Sequence, residues 1–216
     1  MQTGVHWRSR VPLPAPVSPR EPVYGRQITL DAFRRSDCLW DFDGHVTDVR
    51  HHDLRLWHFV RLAGEPVHSM RLRITVDRGA TIVDAVARSG AGPYDAACGA
   101  IEPAYEALIG LQVGPGYRSE VRKRIGGRAV CTHMTELASA LGPAVVQALA
   151  INVPAPPDKR PFSLDGCHAL ATTGSLVAIH FPRCYRDPTA DGAQAQQTPR
   201  HRAASDSENA EGDKTP

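Results

Sequence analysis

Between Arg26 and Val83 the apolar residues fall largely at every second position, and beyond Tyr94 they recur every three or four. The first period is that of half-buried strands, the second that of amphipathic helices. "RQITLDAFRR" (26–35) alternates and predicts a strand. "LWDFDGHVTDVRHH" predicts a second, with Gly44 as a bend or bulge, and Asp43-Gly44 is also an ordinary turn signal. "HSMRLRITVD" places Met70, Leu72, Ile74 and Val76 on one face. After a turn over Asp77 to Gly79, "ATIVDAVARSG" predicts an antiparallel neighbour to that strand.

The helical period begins in "YDAACGAIEPAYEALIGL", with Ala97, Ile101, Tyr105 and Leu108 on one stripe and Pro103 as a break or new first turn. "GYRSEVRKRIGG" predicts a short basic helix closed by Gly126 and Gly127. "CTHMTELASALGPAVVQALAINV" predicts a longer one, with Thr132 as N-cap, a stripe of Leu137, Leu141, Val145 and Leu149, and a kink at Gly142-Pro143. After the stiff "VPAPPDKRP", the segment "FSLDGCHALATTGSLVAIHFPRCY" predicts a hairpin turning near Thr172 to Ser175. Strands followed by helices define an α+β class: an antiparallel sheet of three to five strands packed by two or three helices, with a C-terminal β-hairpin. The proline-rich residues 1–24 read as a flexible lead-in. The tail 187–216 lacks the apolar residues needed to bury anything and reads as disordered. Residues 25–186 are expected to form one domain.

Composition narrows the function. Among 216 residues, 25 basic and 23 acidic side chains leave a formal charge of +2, which generates no strong field for nucleic acid or membrane. The N-terminus has no secretory pattern and no apolar run approaches bilayer length, so the cytoplasm is the default expectation. Five widely spaced cysteines (38, 98, 131, 167 and 184) argue for reduced thiols over a disulfide framework. No phosphate loop, G-x-S-x-G elbow or CxxC pair occurs. The basic run from Arg118 to Arg128 reads as a solvated helical face.

The candidate chemistry starts at Cys131 and His133. The free N–H groups and dipole of a helix N-terminus favour a thiolate, the form that binds zinc or attacks an electrophile. Two ligands are too few for zinc, which takes four, or three and a water. Other donors are His68, opening the third strand, and Cys98, near the start of the first helix. Cys167 and His168 are weaker; adjacent strand residues face opposite ways, so only one of them would reach the same centre. In the second predicted strand, Asp41, Asp43 and His45 share a face with Asp48 on the other, unless a bulge intervenes. His51, His52 and His58 read as solvated or edge positions.

The stretches "LWDFDGHVTD", "GEPVHSMRLRITVD", "PYDAACGAIEPAYEALIGLQVGPGY", "IGGRAVCTHMTELASALGPAVVQA" and "FSLDGCHALATTGSLVAIHFPR" together resemble the bacterial family known as domain of unknown function 2889. Cys38 stands where glycine looks usual in that pattern, and Cys184 after "HFPR" also looks atypical. The order of elements is similar, more loosely, to iron–sulfur cluster scaffold proteins of the NifU N-terminal type. That resemblance implies a ligand set of His68, Cys98, Cys131 and His133. Two features depart from its pattern: histidine replaces the first thiol, and the closing pair reads Cys-x-His. Such a swap favours zinc or iron as a single ion over a sulfur-rich cluster.

Three readings follow. In the first, a Cys/His site binds zinc or iron, with a scaffold or carrier role and a metal- or sulfur-transfer protein as partner. In the second, the chain is an enzyme acting on a small molecule. Cys131 is then its nucleophile, His133, His68 or His45 the base and Asp48 the orienting group, or a metal-bound water replaces the thiol. In the third, these side chains only pack. Four closed ligands would point to scaffolding, and three beside an open position to catalysis.

Overall fold

The computed structural model describes residues 13–57, 59–153 and 159–188. They belong to two compact units, one ending at Ala155 and the other beginning at Pro156.

The first unit is built on a four-stranded antiparallel sheet of β1 (Tyr24–Arg34), β2 (Trp40–Arg50), β5 (Pro66–Val76) and β6 (Ile82–Ala91), in that spatial order. A small hairpin, β3 (Leu54–Leu56) and β4 (Phe59–Arg61), is inserted between β2 and β5. The period-two pattern is realised directly in β2 and β5, whereas β1 forms where expected but, as an edge strand, is mostly exposed instead of half-buried. Phe42, Val46, Met70, Leu72, Ile74, Val76, Ile82, Ala85 and Ala87 are buried on one face. The opposite face carries Asp43, His45, Arg71, Arg73 and Arg88. Over the apolar face lies α3 (Thr132–Asn152), whose Leu137, Leu141, Val145 and Leu149 stripe is completely buried. Together, α1 (Asp95–Ala100), a 3-10 turn over Glu102–Leu108 and α2 (Tyr117–Arg124) complete this layer. Pro103 sits in the first turn of the 3-10 segment, where its missing N–H costs nothing. Tyr105 and Leu108 are buried as expected, but Ala97 is exposed, because the break at Ile101 rotates the first turn away from the stripe.

Other expectations are corrected. Asp43-Gly44 is neither turn nor bulge: β2 runs in unbroken register through Gly44. Glycine is needed there because a Cβ would lie 2.9 Å from the Leu137 Cδ1, so its absence lets α3 settle onto β2. Gly142 does the same on α3, where a Cβ would meet the Tyr117 ring at 2.6 Å. The helix continues through Pro143. Its N-cap is Cys131, with Thr132 as the first helical residue, and no side chain caps it. By length and composition α3 could cross a membrane, a run missed in the sequence because polar residues interrupt it; its apolar stripe faces the sheet.

The second unit holds no hairpin among its described residues. A 3-10 turn over His168–Leu170, the short helix α4 (Ser175–His180) and a further 3-10 turn over Pro182–Cys184 replace it. Asp165 organises this segment. Its carboxylate accepts the Thr172 N–H at 2.7 Å and the Thr172 hydroxyl at 3.0 Å, and pairs with Arg160. These bonds fold the chain back without a ladder. Expectations for residues 1–12, His58, the linker residues 154–158 and 189–216 lie outside the described residues.

Cys38, in the β1–β2 turn, has φ of 69°, the left-handed region that glycine occupies without strain. This accounts for the glycine that the family pattern led one to expect there. Cys38→Gly is expected to raise stability by about 0.5–1 kcal/mol. Gly44→Ala is expected to lower it by about 1–3 kcal/mol through the clash with Leu137. Urea unfolding midpoints check both.

Candidate functional site

Sheet register sets up the site. Arg26 on β1 pairs with Asp48 on β2, and Asp48 pairs with His68 on β5, forming one row across three strands. That row lies on the side covered by α3, at the end where β2 and β5 shift register between Asp48 and Val49. Asp48 is therefore buried, with 1% of its surface exposed. A buried carboxylate demands partners, and it has them on every side. Its Oδ1 accepts the Tyr24 hydroxyl at 2.7 Å and the Arg26 Nε at 2.7 Å. Its Oδ2 accepts the Arg26 Nη2 at 2.9 Å and the His68 Nδ1 at 3.0 Å. From α3, the His133 Nε2 stands 3.5 Å from the same oxygen. Glu136, one turn further along α3, holds the remaining Arg26 nitrogen at 2.5 Å.

The electrostatics follow from this geometry. Burial, the largest single influence on Asp48, pushes its carboxyl up. The bonds from Arg26 and Tyr24 and the neighbouring charges of Arg26 and His68 outweigh it, and bring the pKa down to about 2. Asp48 is thus a carboxylate and can only accept, so His68 carries its proton on Nδ1 and leaves Nε2 as a free lone pair. Burial, and then the neighbouring His133, push His68 below the usual histidine range, against the pull of Asp48. The two imidazoles lie face to face, with centroids 4.0 Å apart and a 31° tilt.

Cys131 adjoins this group. Its Sγ is 3.2 Å from the His133 Nδ1 and 3.8 Å from the Met70 Sδ. Tyr105 clamps its backbone: the phenol accepts the Cys131 N–H at 3.0 Å and donates to the Cys131 carbonyl at 3.3 Å. Burial pushes that phenol up to about 12, so it remains a donor.

Of the residues singled out in the sequence, Asp48, His68, His133 and Cys131 come together. Asp48, His68 and His133 form a group whose ligand atoms lie within 4.8 Å of one another and could hold a metal ion. Cys98 does not join them: on α1, its sulfur packs where a Gly92 Cβ would stand, 2.8 Å away. His45 faces the other side of the sheet, where its Nε2 contacts the Ser69 and Thr47 hydroxyls at 3.0 and 3.1 Å. Cys167 and His168 belong to the second unit, and Cys38, Cys167 and Cys184 are free thiols. Sequence reasoning missed Tyr24, Arg26, Tyr105 and Glu136. Arg26 did leave a signal: it shares strand parity with Ile28 and Leu30, which marks a charge on the apolar face.

An α+β scaffold with a buried carboxylate–imidazole cluster at the mouth of its longest described helix is the class that fold and site define. More particularly, the chain belongs to the family described as protein of unknown function (DUF2889), whose model matches residues 24–147. That span begins at Tyr24 and contains every residue of the cluster, while "FSLDGCHALATTGSLVAIHFPR" lies beyond it. No curated protein and no solved structure matches the chain. The looser likeness to cluster scaffold proteins is not shown, and Cys98 stands outside the group of ligands that the structure brings together.

The depressed Asp48 carboxyl makes stability depend on pH. A carboxyl lowered on folding contributes stability above its unfolded pKa of about 4 and loses it as pH falls towards 2. The contribution is on the order of 2 kcal/mol. In denaturant titrations with chelator present, stability is expected to drop across that window, and Asp48→Asn is expected to flatten the drop.

Proposed function

We propose that this protein binds one zinc or iron(II) ion through the His68 Nε2, the His133 Nδ1 and the Cys131 Sγ, with Asp48 as the carboxylate that orients both imidazoles. The observation that carries this reading is the convergence of His68, His133 and Asp48 from two strands and a helix, with ligand atoms within 4.8 Å of one another and the Cys131 Sγ 3.2 Å from the His133 Nδ1. Asp48 serves better behind the ligands than as one of them. Arg26, Tyr24 and His68 already occupy its oxygens, and the Arg26 guanidinium beside it would repel a cation. A carboxylate that receives the N–H of a ligating histidine fixes its tautomer and raises its basicity. The 3.2 Å between the Cys131 Sγ and the His133 Nδ1 is close to the roughly 3.6 Å that one tetrahedral ion imposes on a sulfur and a nitrogen ligand. Nitrogen and thiolate donors suit zinc or iron(II) over magnesium or calcium.

Three protein ligands leave a fourth position for an exogenous molecule. This favours a carrier or a metal-dependent enzyme over a purely structural ion. A carrier role would require a metal- or sulfur-transfer partner.

A second reading is favoured by one distance. With the His133 Nε2 facing Asp48 and its Nδ1 facing the Cys131 thiol, the three form a nucleophile–base–orienter series. In that case His133 accepts the thiol proton as Cys131 attacks an electrophile.

Elemental analysis of the untagged protein, and of protein reconstituted with zinc or iron(II), separates the readings. About one ion per chain is expected, lost in His68→Ala, His133→Ala and Cys131→Ala and retained in Cys98→Ala. Asp48→Asn is expected to weaken binding roughly 10–100-fold. Absence of metal under both conditions would remove the metal reading. Rapid alkylation of Cys131 that slows in His133→Ala would then support the thiol.

A further inference from the structure

The sheet has two edges, and the described residues treat them differently. Along β6, the outer edge is engaged. The Ile82 N–H donates to the Leu111 carbonyl, the Gly110 N–H to the Ile82 carbonyl, and the Val113 N–H to the Ala80 carbonyl just before the strand. Further along, the Ser89 N–H donates to the Glu102 carboxylate. At the opposite edge, β1 pairs only with β2, across eleven consecutive positions without a bulge. No described backbone or side chain bonds to its outer side. The strand contains no proline, lysine or bulge; of its three charged residues, Arg26 is tied to Asp48 and Glu136, which leaves Asp31 and Arg34 as the charges along the edge. Ile28 and Phe33 on it are 40% and 51% exposed.

The sequence of this strand is complementary to itself. When two copies pair antiparallel about Thr29, all eleven residues from Tyr24 to Arg34 find partners. Gln27 faces Asp31, amide to carboxylate. On the α3 side Ile28 faces Leu30, so that four aliphatic side chains form one strip continuing the core, which Leu30 already borders. Phe33 faces Gly25, where an aromatic ring covers the bare backbone of an edge glycine. No like charges meet. Shifting the centre to Leu30 sets Arg26 against Arg34, and shifting it to Asp31 sets that carboxylate against itself, both unfavourable across strands. Centring on Ile28 leaves the last two residues without a partner strand.

We propose that β1 is the interface of a symmetric homodimer, in which two copies pair about Thr29 into one continuous eight-stranded sheet. The same strand supplies Tyr24 and Arg26 to Asp48. The dimer thus fixes the β1 side of each of the two carboxylate clusters, which stand about 20 Å apart along the strand direction. This assembly does not depend on whether the cluster binds metal.

The test is sedimentation velocity on the full chain from about 1 to 100 µM. A monomer–dimer equilibrium is expected. Gln27→Lys places an ammonium opposite Asp31 of the other copy at two symmetric positions. It is expected to tighten the dimer roughly two- to tenfold, an effect that disappears at high salt. The double variant Gln27→Lys, Asp31→Lys sets lysines against each other and is expected to dissociate it. Both side chains lie on the face away from α3, and circular dichroism verifies the fold. Because an unfolded variant cannot tighten an association, the Gln27→Lys arm is safe from that ambiguity. A full chain that stays monomeric throughout, or self-association indifferent to both substitutions, would overturn the proposal.

Discussion

The buried carboxylate of Asp48 is the constraint around which this end of the molecule is arranged. Taking a charge out of water is costly unless it is paired and fully hydrogen-bonded. Here the pairing is drawn from separate parts of the chain. Tyr24 and Arg26 come from the edge strand, His68 from β5, and His133 approaches from α3. Each partner is therefore fixed by the same charge, and the charge is tolerable only when all of them are in place. This coupling ties β1, which otherwise has little burial of its own, to the rest of the sheet.

The second constraint is the distance between α3 and the sheet. Gly44 on β2 gives room to Leu137, and Gly142 on α3 gives room to the Tyr117 ring. The helix lies low enough for its N-terminus to arrive beside the row Arg26, Asp48 and His68. Tyr105 then holds the Cys131 backbone from below through two hydrogen bonds. The sulfur comes to rest against the His133 imidazole as a consequence of packing well away from the cluster.

Such an arrangement explains the chemical character of the cluster. Burial pushes His68 towards its neutral form, the form that ligates metals or accepts protons. The carboxylate behind it is held ionised by Arg26 and does not share its proton. Acid, base and soft donor are thereby separated by environment, although all lie within a few ångströms of each other.

Much of this was written in local pattern. Alternation alone located β1, β2, β5 and β6 and the buried face of β5. The four-residue spacing determined the buried stripe of α3, and strand parity put Asp48 on the face opposite Asp41, Asp43 and His45. Residue chemistry singled out His68, Cys131 and His133, because few soft donors lie near element boundaries. Local pattern also misled: Asp43-Gly44 carries a turn signal that a packed helix overrides, and the hairpin expected after Phe162 yields to hydrogen bonds that Thr172 donates to Asp165. Only the tertiary structure decided that Arg26 and Tyr24 close around Asp48, and that Cys98 and His45 stay away from it. Those outcomes depend on register between strands and on the height of a helix above a sheet, which arise from contacts between residues far apart in the chain and leave no periodic trace in it.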